Sequence, residues 1–232
     1  LLSFSQGTSI KGFTKSDIEN LKLHLPKQPE QQKIANFLTQ IDSKIEQLSK
    51  KKQLLERYKK AMMQKFFSQQ LRFKDDEGND YPDWEVKRLG EVTSKIGSGS
   101  TPRGGEKVYT EKGTLFIRSQ NVNKNKLDLT DSTFIPESIH SKMLGSTVLS
   151  NDVLLNITGA SIGRSCVVPN EINTGNVNQH VCIIRGNESL YSYFLQPFLA
   201  SDKGQKLIYQ GQTGSGREGL NFQSIASLKI NL

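Results

Sequence analysis

The sequence predicts an α+β protein: a globular mixed-sheet domain preceded by one long coiled-coil-forming α-helix. Three observations predict it. A strict seven-residue spacing places Ile34, Ile41, Leu48, Leu55 and Met62 on one line, as in a helix that packs along another helix. After Pro29 neither Pro nor Gly occurs until Gly78. Beyond residue 84, short apolar runs rich in β-branched residues are separated by Gly-rich turns, which suits strands.

Taken in order, residues 1–26 read as the C-terminal end of a first globular domain: a Gly-rich loop, a short helical turn and an alternating Leu-Lys-Leu strand. Residues 27–74 form the long helix, with Pro29 in the first turn, where its missing N–H is not needed. Leu38, Ile45 and Phe66 make a second apolar row, interrupted by Lys52 and Lys59. At 1.5 Å per residue, about 40 residues span roughly 60 Å. A seam that long cannot be hidden in a small globule and needs another helix beside it. Lys50, Lys51, Lys52, Lys59 and Lys60 read either as a solvated face or as a rail facing phosphates or a partner. The helix is expected to end near Phe73. Residues 75–83 then form an acidic linker, whose Asp75, Glu77 and Asn79 lack the Gly and terminal Glu of a calcium loop.

Residues 84–232 form the second domain, large enough for its own core. Its predicted strands are 114–119, 147–158, 165–169 and 181–185, and a helix over 190–208 is expected to kink or divide at Pro197. The two ends of the chain also resemble each other. Gly7, Gly12, Ile18, Leu21, Lys22 and Leu25 recur, without gaps, as Gly214, Gly219, Ile225, Leu228, Lys229 and Leu232. This long period fits tandem units of a domain followed by a helix. The chain therefore reads as an excerpt that begins at the tail of one unit and stops before a second helix.

Charge is local. The chain carries 31 Lys and Arg against 23 Asp and Glu, a formal net charge of +8. Residues 27–74 alone hold 12 positive and 4 negative charges, and residues 92–232 hold 14 and 10. The globular part is thus only mildly basic. No apolar run is long enough for a membrane helix and no signal peptide is visible, so a soluble, cytoplasmic protein is expected. Cys166 and Cys182 lack metal spacing, as do His24, His140 and His180, and structural places are expected for all five. The Gly-rich stretch 97–107 has no Gly-Lys-Ser/Thr at phosphate-loop spacing. No nucleophile elbow, dinucleotide fingerprint or adenine-methylating motif occurs. No catalysis, no metal and no cofactor are expected.

The domain offers polar loops instead. They carry Thr101, Arg103 and Lys107, then Arg118, Ser119, Gln120, Asn121, Lys124 and Lys126. Ser161 and Arg164 follow, then Asn176, Asn178 and Gln179. Arg suits guanine, Asn and Gln suit adenine, and Lys, Ser and Thr suit phosphates.

At these residues the order of motifs resembles the specificity subunit of type I restriction–modification systems. LKLHLPKQPEQQKIANFLTQIDSKIEQL (21–48) is similar to that family's strand, Pro and long helix. YPDWEVKRLGEV (81–92) resembles the start of a target-recognition domain. GSGSTP with Tyr109 and LFIRSQNV resembles its front, and DVLLNITGASIGRSCVV with NVNQHVCII its middle strands. The resemblance implies that 84–232 is a second target-recognition domain reading one half of a bipartite double-stranded DNA target. Arg103, Arg118, Asn121, Asn178 and Gln179 would meet bases, and Lys107, Lys124, Arg164 and Arg217 phosphates, with Thr101 and Ser119 beside them. The helix would set the spacing between half-sites and dock methyltransferase and restriction/translocase subunits. Those partners would bring S-adenosylmethionine, ATP and Mg. Its open seam would also allow self-association. A coiled-coil scaffold that contacts proteins only is the alternative.

Overall fold

The computed structural model describes residues 14–212 and 219–232, in two units, Leu1–Arg57 and Tyr58–Leu232. Arg217 and the glycines Gly7, Gly12 and Gly214 of the internal repeat lie outside the described residues.

In the first unit, α1 (Lys15–Glu19) starts at a reciprocal cap. The Thr14 hydroxyl accepts from Asp17 N–H at 3.2 Å and the Asp17 carboxylate accepts from Thr14 N–H at 2.9 Å, satisfying two otherwise free donors. Residues 21–27, expected to begin with a strand, adopt no regular structure. The equivalent segment of the second copy, Lys229–Asn231, is a strand because a neighbour pairs with it; 21–27 has no such neighbour among the described residues. The helix α2 (Gln28–Phe67) runs for 40 residues and crosses the boundary between the units. Ile34, Leu38, Ile41, Ile45, Leu48 and Leu55 are all exposed, from 41% to 57%. Phe37 and Leu54, which the heptad reading passed over, are exposed with them.

In the second unit α2 ends six residues earlier than expected. Gln69 takes φ +61° and Leu71 N–H turns back to the Lys65 carbonyl at 3.2 Å, which closes the last turn. The last two heptad positions, Met62 and Phe66, are only partly buried, and Phe66 stacks on Phe73 at 4.9 Å. Their neighbours Met63 and Phe67 enter the core, Phe67 edge-on to Phe194 and Phe198. Helix periodicity makes both rows possible; the aromatic cluster selects the second. Lys60 and Gln64 bind Asp202 at 3.1 and 2.8 Å. In the acidic segment, Asp75 accepts from Glu77 N–H and Asn79 N–H at 3.0 and 2.7 Å. These bonds, that from Asn79 first, hold its carboxyl below the usual range. Its charge serves a turn.

Two four-stranded sheets follow. The first orders β2 (Thr93–Ser98), β11 (Val181–Gly186), β8 (Val153–Asn156) and β9 (Ser165–Val167), all antiparallel. The second orders β6 (Phe134–Ile135), β3 (Thr114–Ile117), β10 (Gly175–Val177) and β7 (Thr147–Val148), with β3 and β10 parallel. Two smaller ladders pair β1 (Val86–Arg88) with β12 (Lys229–Asn231) and β4 (Val122–Asn123) with β5 (Lys126–Leu127). The run 147–158 is two strands, since Asn151 at φ +64° turns the chain between β7 and β8.

The first sheet is buried on both faces, so its central strands read as unbroken apolar runs rather than alternating ones. Val153, Leu155, Cys182 and Ile184 pack on the helical side. The short α3 (Glu137–His140) follows β6, and on the helical side α4 (Ser192–Ala200), α5 (Asp202–Gln210) and α6 (Phe222–Ala226) supply Leu195, Phe198, Leu199, Ile208 and Ile225. Leu154, Cys166, Val181 and Ile183 pack with Ile117, Val148 and Val177 of the second sheet. The helical stretch divides at Ser201, not at Pro197, which lies inside α4. Ser201 is extended and caps α5 by accepting from Gly204 N–H at 3.1 Å. Both cysteines are buried in strands, and burial pushes each thiol up to about 12. Just before β8, buried Asp152 accepts from Arg185 Nε and Nη2 at 2.7 and 2.8 Å and from Leu149 N–H at 2.7 Å. This pairing holds the Arg185 guanidinium above its ordinary value.

Candidate functional site

Register determines which loops meet. Val177 pairs with Ile117, so the parallel strands β3 and β10 end side by side. Val181 pairs with Asn156 and Cys182 with Ser98, so β8 and β2 end where β11 begins. Four loops therefore gather at one edge of the two sheets: those after β2, β3 and β8, and the β10–β11 turn. Backbone bonds sew them together. Gly99 N–H donates to Asn178 O at 3.3 Å, Asn178 N–H to Ile117 O at 3.1 Å, and Ile157 N–H to His180 O at 3.0 Å.

Side chains finish the frame. Asn156 is fully buried, and its Nδ2 donates to Ser119 O at 2.9 Å and Ser161 Oγ at 3.1 Å. Asn121 is 3% exposed; its Oδ1 accepts from Arg118 N–H at 2.9 Å and its Nδ2 donates to Asp128 O and Asp131 O. Asn178 is also buried, and its Oδ1 accepts from His180 N–H at 3.0 Å. Asn121, expected to meet bases, spends both its polar atoms on the turns around it; Asn178, also expected to meet bases, spends its Oδ1 on the β10–β11 turn. Asn176 is likewise buried, bonded to His140 Nδ1, Met143 O and Ser146 Oγ.

Arg118 is restrained rather than free. Its guanidinium lies 5.9 Å from the Tyr109 ring centroid and 3.4 Å from Asp131, with only 20% of the side chain exposed. Asp131 also receives Gln120 Nε2. Ser119 is half-buried, and its carbonyl is the one held by Asn156.

Arg103, Lys107, Lys124 and Arg164 are exposed and make no ion pair among the described residues. Lys124 and Arg164 line a cavity of about 440 Å³ with Ile162, Gly163, Ser165 and Gln205. Thr101 and Arg103 line another of about 420 Å³ with Lys142 and Ile139. Gln179 is exposed at the β10–β11 turn, with Thr101 Oγ1 donating to its Oε1 at 2.7 Å. Its Nε2 lies 3.1 Å from His180 Nε2, and His180 Nδ1 lies 2.6 Å from Thr158 Oγ1. The arrangement presents separate cations and one oriented amide on a rigid edge. It suits a polyanion with a hydrogen-bonding face.

Sequence reasoning missed Asn156, Thr158, His180 and Asp131. A polar residue closing the run Val153-Leu154-Leu155 was a signal for Asn156; no local signal exists for Asp131, which acts across a loop. Among the described residues no helix is long and apolar enough to cross a membrane, and no three His, Cys, Asp or Glu gather as metal ligands.

The family description "Type I restriction modification DNA specificity domain" matches residues 1–57 and 81–232. The type I restriction enzyme MjaVIII specificity subunit of Methanocaldococcus jannaschii is 33% identical over 168 residues, covering 70% of this chain and 39% of the relative. The chain spans about half the length, or less, of the curated relatives it matches. In fold it resembles the S subunit of a type I restriction-modification system from M. genitalium, with TM-score 0.60, 18% identity and coverage of 99% of this chain and 56% of that one. It also resembles a chain solved in a study of complex assembly and conformational transition of the type I R-M system. There the TM-score is 0.55 at 18% identity, over 97% of this chain and 53% of that one.

Proposed function

Because this chain belongs to the type I restriction modification DNA specificity family, we propose that it reads one half of a two-part duplex DNA target through the gathered loops. The observation that carries this is the loop edge itself. Arg103 and Lys107 in the loop after β2 and Arg164 in the loop after β8, with Lys124 lining one cavity with Arg164, make no ion pair among the described residues, and Gln179 stands on a frame tied by buried amides. Cations attract phosphates without regard to sequence, and placed side chains supply the preference. Arg103 and Gln179 are the readers in this proposal; Lys107, Lys124 and Arg164 neutralise phosphates. Asn121, Asn178 and Ser119 shape the loops, and Arg118 reaches DNA only on leaving Asp131.

The protein acts without catalysis and without a cofactor of its own, in the cytoplasm. Methyltransferase and restriction/translocase subunits dock on it and bring S-adenosylmethionine, ATP and Mg. The exposed row from Ile34 to Leu55 pairs with a second helix, and the length of α2 sets the spacer between half-sites. The test is to assemble the chain with its methyltransferase partner and map the modified adenines. Arg103→Ala should lose about 1–3 kcal/mol of discrimination at one position. Lys124→Ala should weaken all sequences and flatten the salt dependence. If both substitutions leave the half-site and its affinity unchanged, the loop edge does not read DNA.

One observation favours a second reading. The continuous exposed row on α2 also fits a scaffold that contacts proteins only. Absence of any salt-dependent retention on duplex DNA would select it.

A further inference from the structure

Among the described residues of the loop edge, Gln179 is an exposed side chain held at both ends of its amide. Its Oε1 accepts the Thr101 hydroxyl proton at 2.7 Å. Its Nε2, which has no lone pair to offer, faces His180 Nε2 at 3.1 Å. With the amide in this orientation that ring nitrogen accepts, and His180 Nδ1 lies 2.6 Å from Thr158 Oγ1. The bonds form one continuous chain from Thr101 through Gln179 and His180 to Thr158. The backbone keeps the ends in place: His180 O receives Ile157 N–H, and Gly99, two residues before Thr101, bonds Asn178 O.

A glutamine amide has two acceptor lone pairs and two donor hydrogens. This chain of bonds uses one of each. What remains, on an exposed side chain, is one lone pair on Oε1 and one hydrogen on Nε2. In the major groove adenine offers a donor at N6 beside an acceptor at N7. Guanine offers two acceptors, cytosine one donor and thymine one acceptor. Of the four bases only adenine complements both free groups.

We propose that Gln179 reads an adenine edge, and that Thr101 and His180 are positioning residues that set the orientation of its amide. This rests on the DNA-reading proposal above and names the base for one position of that same site.

The chain assembled with its methyltransferase partner is offered a library of duplexes randomised over the half-site, and bound and modified sequences are counted. Gln179→Ala should remove an adenine preference of about 10- to 100-fold at one position and leave the others intact. Gln179→Glu replaces the donor with a second acceptor, so preference at that position should move to cytosine. Thr101→Val should relax the same position, and Thr101→Ser should restore it; a merely structural role for Thr101 would lower affinity at every position equally. Unchanged preference in Gln179→Ala and Gln179→Glu overturns the proposal, as does uniform loss at all positions. If the unsubstituted assembly selects no sequence at all, the DNA-reading proposal fails and this one with it. Melting temperature, which substitution of an exposed side chain should leave unchanged, separates misfolding from loss of reading.

Discussion

The Asp152–Arg185 pair allows a prediction whose asymmetry comes from burial. Asp152 is 1% exposed and Arg185 28%. Removing one partner of a buried ion pair costs about 3–5 kcal/mol, because the other charge is left without compensation. With Asp152→Ala the orphan is the guanidinium, which water reaches and which keeps Thr147 O at 3.2 Å. The cost should therefore sit near the lower end, about 3 kcal/mol. With Arg185→Met the stem is kept, and the orphan is a buried carboxylate left with Leu149 N–H alone. That cost should sit near the upper end, about 4–5 kcal/mol. The double variant leaves no charge behind and should cost no more than Arg185→Met by itself. For a unit of this size each kcal/mol lowers the melting temperature by about 2–4 °C. Urea and thermal melts at neutral pH give the three values. A larger loss for Asp152→Ala than for Arg185→Met, or a double variant equal to the sum, would refute the assignment of the buried charge to Asp152.

Three further outcomes follow from the same packing. Gly99→Ala puts a Cβ 1.8 Å from Val177 O and 2.8 Å from Ser146 Cβ, so the end of β2 must move; a loss of about 3 kcal/mol is expected in urea melts, and an unchanged midpoint would contradict the close approach. Cys166 and Cys182, held at about 12 by burial, stay protonated at pH 8; mass spectrometry should find iodoacetamide on neither until the protein is unfolded, and labelling of the native chain would contradict their burial. Lys60, then Gln64, lowers the Asp202 carboxyl below its ordinary value. Its contact with α2 is thus complete at neutral pH and lost as pH falls through the folded-state value. Protection factors over 58–67, taken relative to the intrinsic exchange rate at each pH, should fall in acid, and Asp202→Asn should remove the contrast between neutral and acidic pH.

The sequence was legible where one period dominated. The heptad row announced α2, and the apolar runs at 114–119, 165–169 and 181–185 announced strands of the two sheets. What it hid was pairing. The segment Leu21-Lys22-Leu23 and its counterpart Leu228-Lys229-Ile230 carry nearly the same pattern, yet only the second has a neighbouring strand. Met62 and Met63 sit one residue apart, and the row that enters the core was chosen by Phe194 and Phe198, more than 130 positions away. At the site, composition identified the loops but could not tell an amide left exposed from an amide that holds a turn. Asn121 and Gln179 look alike in sequence. Burial separates them, and burial follows from the register of β3, β10 and β11 rather than from any local signal.

The pairing of β1 with β12 has a consequence for the domain as a unit. Glu85 and Leu232 exchange backbone bonds at 2.6 and 2.9 Å, so the incoming and outgoing chain lie about one strand spacing apart, roughly 5 Å. Everything between hangs from that two-strand clasp as a closed loop of nearly 150 positions. A domain set in its place would have to bring its own first and last strands to the clasp and its own partners for Met63 and Phe67 of α2. The clasp also joins the most distant partners of any ladder in the domain, so loop-closure entropy makes it the late step in folding, closing once the sheets it encloses have formed.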